Sequence, residues 1–583
     1  MTPVPSYYLL QRFKGIIYGV CLIFFLFIEN AALAQYTRHV VQLTDKGGST
    51  YSLSRPQEFL SDKSIDRRQR SEIGFDSTDL PISPAYLSAI AEVPGVTVLN
   101  VSKWLNTVVI RISIPDALEQ INTFSFVKQI RETAARALPV QDDLLPSKIP
   151  VTYELPRHEI RSGIRGTKGI QNEIDYGNTY AQIHVHEGEY LHNAGFTGSG
   201  LTIALLDAGY AGYLSNPAFD SLRINNRILG GYDFVQNTPG ISQAHTHGTS
   251  CLSVIASNRP GVLVGSAPAA SYWLLRTEDA ASEYPIEEYN WAAAAEFADS
   301  VGADIISSSL GYITFDDPTM NYSYSMRDGN TGISTRAADL AARKGILVMN
   351  SAGNTGGIAG DERFISCPAD GDSVVAVGAI RTDMQIAGFS SWGPNANGKV
   401  KPNLVSIGQG TILANAQGNP VGGNGTSFSN PNLAGLFACL WQAFPEFSNM
   451  DIINAVQQSA DRYQTPEIRY GYGVPNFRVA YDALQQKRLE QQLNSLVEAD
   501  WIRTFPTPFS TNFNVVFKAR VTGRITLQLF DNLGRMHASL QMETIKDQVY
   551  LAPQFSALPA SKGIYYILFS DALGKKTLKT IRL

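Results

Sequence analysis

Three kinds of hydrophobic patterning succeed one another along the chain. Near its start, Val40-Val41-Gln42-Leu43 and Val108-Val109-Ile110-Arg111-Ile112 alternate or run apolar as strands do. Tyr86 to Ala91 and Asp116 to Ile121 carry the spacing of short helices. This part therefore reads as a small α+β domain. From Leu138 to Thr179 the periodicity lapses, and Pro139, Pro146, Pro150 and Pro156 stand among Gly, Ser and Asn. That composition marks an exposed, cuttable connection. From Gly195 onward strands and helices alternate. Leu201 to Leu206 is a buried strand ending at Asp207, Tyr272 to Leu275 is another, and Glu287 to Val301 is an Ala-rich helix. Asp304 to Ser307, Ile346 to Met349 and Ser373 to Val377 are further strands, with a helix over Thr335 to Arg343. Such alternation predicts a parallel sheet covered by helices on both faces, with functional residues at the carboxyl ends of the strands. An amphipathic helix is expected over 484 to 500. After it Asn514 to Phe517, Arg524 to Phe530, Val549 to Leu551 and Ile564 to Phe569 predict a separate C-terminal β-sandwich.

A length of 583 residues exceeds one hydrophobic core, in keeping with several domains. A net charge of −5 is small for this length, so nothing electrostatic argues for nucleic acid or a membrane surface as partner. Arg12 and Lys14 precede an apolar run from Gly15 to Ile28, and Ala32-Leu33-Ala34 follows. This is the order of a secretory signal, with cleavage expected before Gln35. The run is short for a span of about 20 residues, and no stable membrane span is expected elsewhere. Of the four cysteines, Cys21 leaves with the signal. Cys251, Cys367 and Cys439 allow at most one disulfide, or pack as small hydrophobes, and none has metal-ligand spacing.

The candidate chemistry centres on Gly423-Asn424-Gly425-Thr426-Ser427-Phe428-Ser429-Asn430-Pro431, where a polar loop gives way to an apolar helix. Pro431 suits a first helical turn. A serine there meets unpaired N–H groups and the positive end of the helix dipole, which suits a nucleophile that generates an oxyanion. Its plainer role is a cap. Three other sequences make the chemical reading specific. Asp207-Ala208-Gly209 ends a strand, His247-Gly248-Thr249-Ser250 opens a helix, and Ser351-Ala352-Gly353-Asn354 follows a strand. A serine needs a histidine to take its proton, the histidine needs a carboxylate to fix its tautomer, and the oxyanion needs a donor.

In this order the chain resembles the subtilisin-like serine proteases. HGTS at 247–250, SAGN at 351–354, NGTSFSNP at 424–431, Ser309-Leu310-Gly311, Phe389-Ser390-Ser391-Trp392-Gly393 and Lys401-Pro402-Asn403 carry the likeness. It implies that Asp207 orients, His247 is the general base, Ser427 attacks and Asn354 holds the oxyanion with the Ser427 N–H. It also implies that Ser309, Leu310, Gly311, Ala352 and Gly353 bind substrate. The chain departs from the family pattern at Ala208-Gly209-Tyr210, at Asn430 and at Val405-Ser406-Ile407-Gly408, and no departure removes a catalytic group. Patterning and resemblance together divide the chain into a signal peptide (1–34), a propeptide and processing linker (35–178), a catalytic domain (179–483), a linker helix (484–503) and a C-terminal β-sandwich (504–583). That last part, with Phe505-Pro506-Thr507-Pro508-Phe509, Leu529-Phe530-Asp531-Asn532-Leu533-Gly534-Arg535 and Lys562-Gly563-Ile564-Tyr565-Tyr566, resembles the sorting domain of the type IX secretion system.

The expectation is a serine endopeptidase made as a zymogen, acting on proteins or peptides. It would be secreted or displayed at the cell surface by way of the periplasm, with the secretion machinery as the C-terminal domain's partner. The competing class is a secreted binding or adhesion protein on an inactive protease scaffold. An α/β-hydrolase esterase needs Ser before Asp before His and a G-x-S-x-G elbow, and this chain has neither. No charge lines the expected primary pocket, so an apolar or broad preference is expected. No cofactor and no metal at the site are expected. Asp316, Asp317 and Asp328 are candidate ligands for a structural Ca²⁺, against the plainer reading of a solvated loop.

Overall fold

The computed structural model describes residues 37–134, the backbone of 152–153, residues 172–498, and 500–505, 507–509, 513–553, 555 and 561–582. The expected signal and its cleavage point lie outside the described residues, as does most of the Pro-rich connection. The chain forms two compact units, up to Ala480 and from Tyr481.

The N-terminal region builds a four-stranded antiparallel sheet from β1 (Arg38–Leu43), β2 (Val96–Ser102), β3 (Thr107–Ile112) and β4 (Val127–Ala134), in the order β2-β3-β1-β4. Its helices are α1 (Asp62–Arg70), α2 (Pro84–Ala91) and α3 (Asp116–Asn122). Successive strand side chains face opposite sides. Val41, Leu43, Val108 and Ile110 pack with Ile90 of α2 and Ile121 of α3. Val40 and Val109 point the other way, into the core of the following region. Burial on both faces explains why Val108 to Ile110 read as a continuous apolar run. Helix α1, absent from the sequence expectation, is treated below.

The large region is an eight-stranded sheet. Its strands are β5 (Thr202–Asp207), β6 (Ile228–Asp233), β7 (Thr238–Pro239), β8 (Ser271–Arg276), β9 (Ile305–Ser308), β10 (Leu347–Ser351), β11 (Val374–Ile380) and β12 (Leu404–Ile407). The order is β12-β11-β10-β9-β5-β8-β6-β7, parallel except for the edge pair β6–β7. The expected parallel α/β sheet is thus what the chain forms. Every residue of β5 is buried. On one face Ala204, Leu206, Ile306 and Val348 meet helices α5 (Ile286–Ser300) and α6 (Ile333–Arg343), beneath the N-terminal sheet. The alternate residues Ile203, Leu205, Ile305 and Leu347, equally buried, face the opposite layer. Helices α4 (His247–Ala256) and α7 (Thr426–Ala443) lie against each other, and α7 contacts β9, β10, β11 and β12. Near-total burial is why α7 shows little amphipathic pattern, since every residue from Thr426 to Trp441 is buried, whichever side of the helix it occupies. A hairpin of β13 (Gln409–Ala414) and β14 (Pro420–Asn424) delivers the chain to α7.

The helix expected over 484–500 is the later part of one beginning at Phe477 and ending at Glu498. The second unit holds a three-stranded sheet (Ile502–Phe505, Asn514–Lys518, Val549–Leu551) and a four-stranded sheet (Gly523–Asp531, Met536–Thr544, Gly563–Asp571, Gly574–Arg582). Val515, Phe517, Ile525, Leu527, Leu529, Ile567 and Phe569 share its core. Met536–Thr544 and Gly574–Arg582 carry no strong strand signal, because as edge strands they bury few side chains. Cys251, Cys367 and Cys439 are all free and buried.

Trp291 on α5 is inaccessible, and its indole N–H donates to Ser308 Oγ at 2.9 Å. Trp291→Ala should cost roughly 3–5 kcal/mol of stability through the cavity it leaves. An unfolding free energy within about 1 kcal/mol of the parent's, from denaturant titration, would refute that placement in the core.

Candidate active site

Three neighbouring strands end beside one another and supply most of the site. β5 ends at Asp207, β9 leads to Ser309, and β10 leads to Asn354. Helices α4 and α7 bring His247 and Ser427 to the same edge. Asp207, His247 and Ser427 are 1%, 5% and 3% exposed, so their charges and hydrogen bonds act with little solvent screening.

Asp207 Oδ1 accepts a 2.7 Å hydrogen bond from His247 Nδ1. The same oxygen accepts from the Ala208 N–H, also at 2.7 Å. This fixes the imidazole so that Nε2 is the nitrogen free to take a proton. Nε2 is buried and has no hydrogen-bond partner among the described residues. Burial by itself pushes the imidazolium pKa down. The Asp207 carboxylate outweighs burial and holds the pKa well above the ordinary histidine value. Cys251, one helical turn on, has Sγ 3.9 Å from Nδ1 and 3.3 Å from the Ser427 carbonyl oxygen. Burial raises its thiol pKa, so it stays a neutral filler at neutral pH.

The approach of α4 to Asp207 depends on small residues. The Gly248 N–H donates to Gly209 O at 3.1 Å. A Cβ on Gly248 would lie 2.5 Å from that oxygen and 2.7 Å from the Tyr210 ring. Thr249 Oγ1 donates to Ala211 O at 2.8 Å and ties the first turn of α4 to the same loop.

Ser427 sits in the first turn of α7, after Gly425 with φ 155°. Its Oγ donates to Ser309 O at 3.3 Å rather than to His247, while Ser309 Oγ donates to Ser427 O at 2.9 Å. The serine–histidine bond is therefore not closed here, and catalytic contacts of this kind commonly tighten only when substrate binds. Asn354 is exposed, and its Oδ1 accepts from Thr426 N at 2.9 Å and Thr426 Oγ1 at 3.0 Å. With the oxygen end engaged, the NH₂ end is the donor left available. Asn430, a departure from the family pattern, pins α7 to β9 by donating to Ser308 O at 3.0 Å and Ser307 Oγ at 3.1 Å.

The expected substrate-binding residues separate into two kinds. Ser309, Leu310 and Gly311 run along the strand end, where Leu310 O accepts from Asn350 Nδ2 at 2.8 Å. Gly353 is partly open, but Ala352 is wholly buried and its N–H bonds Val377 O at 3.0 Å, so it supports the wall from behind. Sequence reasoning missed Ser366. Its hydroxyl is buried without a hydrogen-bond partner among the described residues. It lies 2.2 Å from where a Cβ on Gly311 would be and 3.5 Å from one on Gly353. No local motif marks it; only the fold brings it between the two glycines. The backbone of 152–153 adds a third strand beside β14, Thr152 opposite Gly423 and Tyr153 opposite Gly422.

Asp316, Asp317 and Asp328 are not among the described acidic groups close enough to share an ion. Asp316 accepts from Glu283 N, Asp317 caps Thr319, and Asp328 closes a turn onto Asn330 and Thr331. Glu278, Glu283 and Glu287 do lie within 4.8 Å of one another, as do Asp207, His247 and Cys251.

A doubly covered parallel sheet with Asp, His and Ser converging at its carboxyl edge, beside an oriented side-chain amide, defines a serine hydrolase. Residues 198–473 match the subtilase family, and residues 38–145 match the peptidase S8 propeptide domain of Bacteroidota. Subtilisin E of Bacillus subtilis (strain 168) is 32% identical over 294 residues, which is 50% of this chain and 68% of that protein. Subtilisin of Bacillus pumilus is 31% identical over 50% of this chain and 94% of that protein. The chain belongs to the subtilase family and is a serine endopeptidase. The crystal structure of fervidolysin from Fervidobacterium pennivorans shares its fold at a TM-score of 0.52 and 15% identity, over 94% of this chain and 76% of that one.

Gly248→Ala should separate α4 from the Asp207 loop. Overpacking of this kind costs roughly 1–3 kcal/mol. Melting temperature and peptide hydrolysis should therefore fall together. A variant with parental activity and stability would show that the Gly248–Gly209 approach is dispensable.

Proposed function

We propose that this protease hydrolyses peptide bonds through an acyl-enzyme on Ser427, with His247 as general base, Asp207 as its orienting partner and Asn354 as the oxyanion donor. The buried 2.7 Å bond between Asp207 and His247 carries the reading, because it leaves one basic nitrogen, Nε2, on an imidazole whose ring centroid is 6.0 Å from that of Phe428, the residue after the serine. Rotation of Ser427 Oγ away from Ser309 O lets it give its proton to Nε2 as it attacks the scissile carbonyl. The Asn354 NH₂ and the Ser427 N–H then hold the oxyanion, and His247 returns the proton to the leaving amine. Water repeats the sequence on the ester. These roles follow the order and donor known for subtilisin itself.

The propeptide holds the zymogen state. We assign the C-terminal unit to export across the cell envelope by way of the periplasm, on its likeness to type IX sorting domains and on the secretory pattern before Gln35. Proteins are the substrates. The uncharged strand end at Ser309–Gly311, closed by Ser366, favours an apolar or broad preference at the primary pocket. Among the described residues no helix is long and apolar enough to cross a membrane.

A fluorophosphonate probe should label the matured protein and not its Ser427→Ala variant, with casein hydrolysis tracking the label. Asn354→Ala should lower kcat by roughly 10²–10³, the loss known for one oxyanion donor in subtilisin. Absence of labelling on folded protein freed of its propeptide would refute the mechanism.

The pH dependence has a definite sign. Only neutral His247 accepts a proton, and its pKa is held above 6.5. The value of kcat/KM should therefore rise with pH along a limb centred above 6.5. Asp207→Asn removes the charge that holds it there, so the limb should move down while kcat collapses by about 10⁴. A limb that stays put would exclude His247 as the titrating base.

A further inference from the structure

Helix α4 carries the general base in its first turn, where backbone N–H groups have no partner inside the helix. Gly248 gives its N–H to Gly209 O, as described above. The His247 N–H donates instead to a side chain, the ring Nδ1 of His245, at 3.0 Å. Thr246, at the usual capping position, makes no side-chain cap. The start of α4 is therefore capped by an imidazole two residues ahead of the catalytic one, where Ser, Thr, Asn or Asp is ordinary. The Asp, His, Asn, Ser order of the site makes no use of His245.

His245 is half-buried and is tied equally to the loop after Asp207. Its carbonyl oxygen accepts from the Ala211 N–H at 2.8 Å. Gly209, at φ 144°, comes so near that a Cβ on it would lie 2.6 Å from the His245 nitrogen. One residue thus joins the strand end that carries the acid to the helix that carries the base.

An imidazole accepts at Nδ1 only while that nitrogen has no proton, so the bond fixes neutral His245 as the Nε2–H tautomer. Protonation puts hydrogen on both nitrogens and sets one N–H against another. The charged groups around the ring are His247 on α4, Asp207 at the end of β5 and Arg276 at the end of β8. Arg276 is itself paired with Asp233 at 3.0 Å. Burial first, and then His247, hold the His245 pKa below the ordinary histidine value, with Asp207 pulling the other way. The positive end of the α4 dipole also disfavours a cation there.

We propose that His245 is a positioning residue for the general base: its neutral ring holds the His247 backbone in register with Asp207, and its protonation releases that hold, so acid stops the enzyme in two steps. His247 protonates first, because its pKa lies above 6.5, and the site loses its base. His245 protonates below 6.5, and α4 loses its cap. A serine or asparagine cap would leave only the first step.

The inference rests on the reading of His247 as base, and one arm of its test needs no catalysis. In the matured parent, log kcat/KM against pH should fall with a slope of about one through the His247 limb and steepen to about two further into acid. His245→Asn puts an acceptor oxygen at the same branch of the side chain and does not titrate. It should keep activity within roughly threefold at about pH 8 and show a slope of about one throughout. His245→Ala has no acceptor, and kcat should fall roughly tenfold at every pH, the worth of one hydrogen bond, with KM unchanged because the loss acts through His247. A slope of about one in the parent down to about pH 4.5, or a slope of about two that survives in His245→Asn, would overturn the proposal.

The second arm uses the full chain carrying Ser427→Ala. Unfolded, His245 titrates at its ordinary 6.5, and folded it titrates lower. Between those values the unfolded chain binds the extra proton, so stability falls as pH drops through 6.5. From about pH 7.5 to about pH 5.5 the melting temperature should therefore fall further in this chain than in one that also carries His245→Asn. Equal falls would overturn the cap. A difference in melting with no acid limb in activity would overturn His247 as base and leave the cap standing.

Discussion

The site depends on one buried bond between a strand end and a helix start, Asp207 to His247. A carboxylate inaccessible to water needs partners, and Asp207 Oδ1 takes both the imidazole N–H and its neighbour's backbone N–H. The bond sets the histidine tautomer. It also fixes where α4 begins, which sets how α4 lies against α7 and hence where Ser427 stands. That geometry requires backbones to approach more closely than any side chain permits. Glycine at 248 is therefore as necessary as the acid and the base, although it performs no chemistry. The cysteine behind the histidine fits the same logic, since a small neutral group fills space beside a charge pair without competing for its proton.

Much of this was legible in the chain. The alternation of apolar strands with Ala-rich helices predicted the sheet, because fully buried parallel strands have no exposed face to break the pattern. The candidate residues Asp207, His247, Asn354 and Ser427 were legible because each lies at a junction where loop becomes helix or strand becomes loop, and such junctions are short and local. Ser366 was not legible. It faces Gly311 only because two distant segments cross, and no local pattern encodes a crossing. Ala352 shows the converse, since membership of a motif did not reveal that its methyl faces the core and not the cleft. The edge strands Met536–Thr544 and Gly574–Arg582 escaped because polar, half-exposed strands look like loops.

The sharpest failure of sequence reasoning is α1. Asp62-Lys63-Ser64-Ile65-Asp66-Arg67-Arg68-Gln69-Arg70 reads as a solvated, charge-rich segment, and hydrophobic patterning gives it no reason to be buried. The reason lies more than 200 residues away in Asp299, Ala303 and Lys344. Burial of charge by partners contributed from another region is invisible to any local rule.

Among the described residues the propeptide meets the protease in two places, an apolar face and a charged cluster, and they divide the work between them. The apolar sheet face of Val40, Val109, Trp104 and Leu105 shares a core with α5 and α6, and supplies non-directional attraction in the way a domain core does. Such a face tolerates sliding. The Arg67–Asp299–Arg68 cluster does not, since a small shift would leave a buried charge without its counter-ion. Apolar area and a dry ion cluster together give affinity from one and register from the other. Register matters because the helix that carries Asp299 also carries Trp291. The Trp291 indole is bonded to Ser308 at the end of β9, one residue before the carbonyl that Ser427 contacts, so a shift of α5 would be felt at the nucleophile.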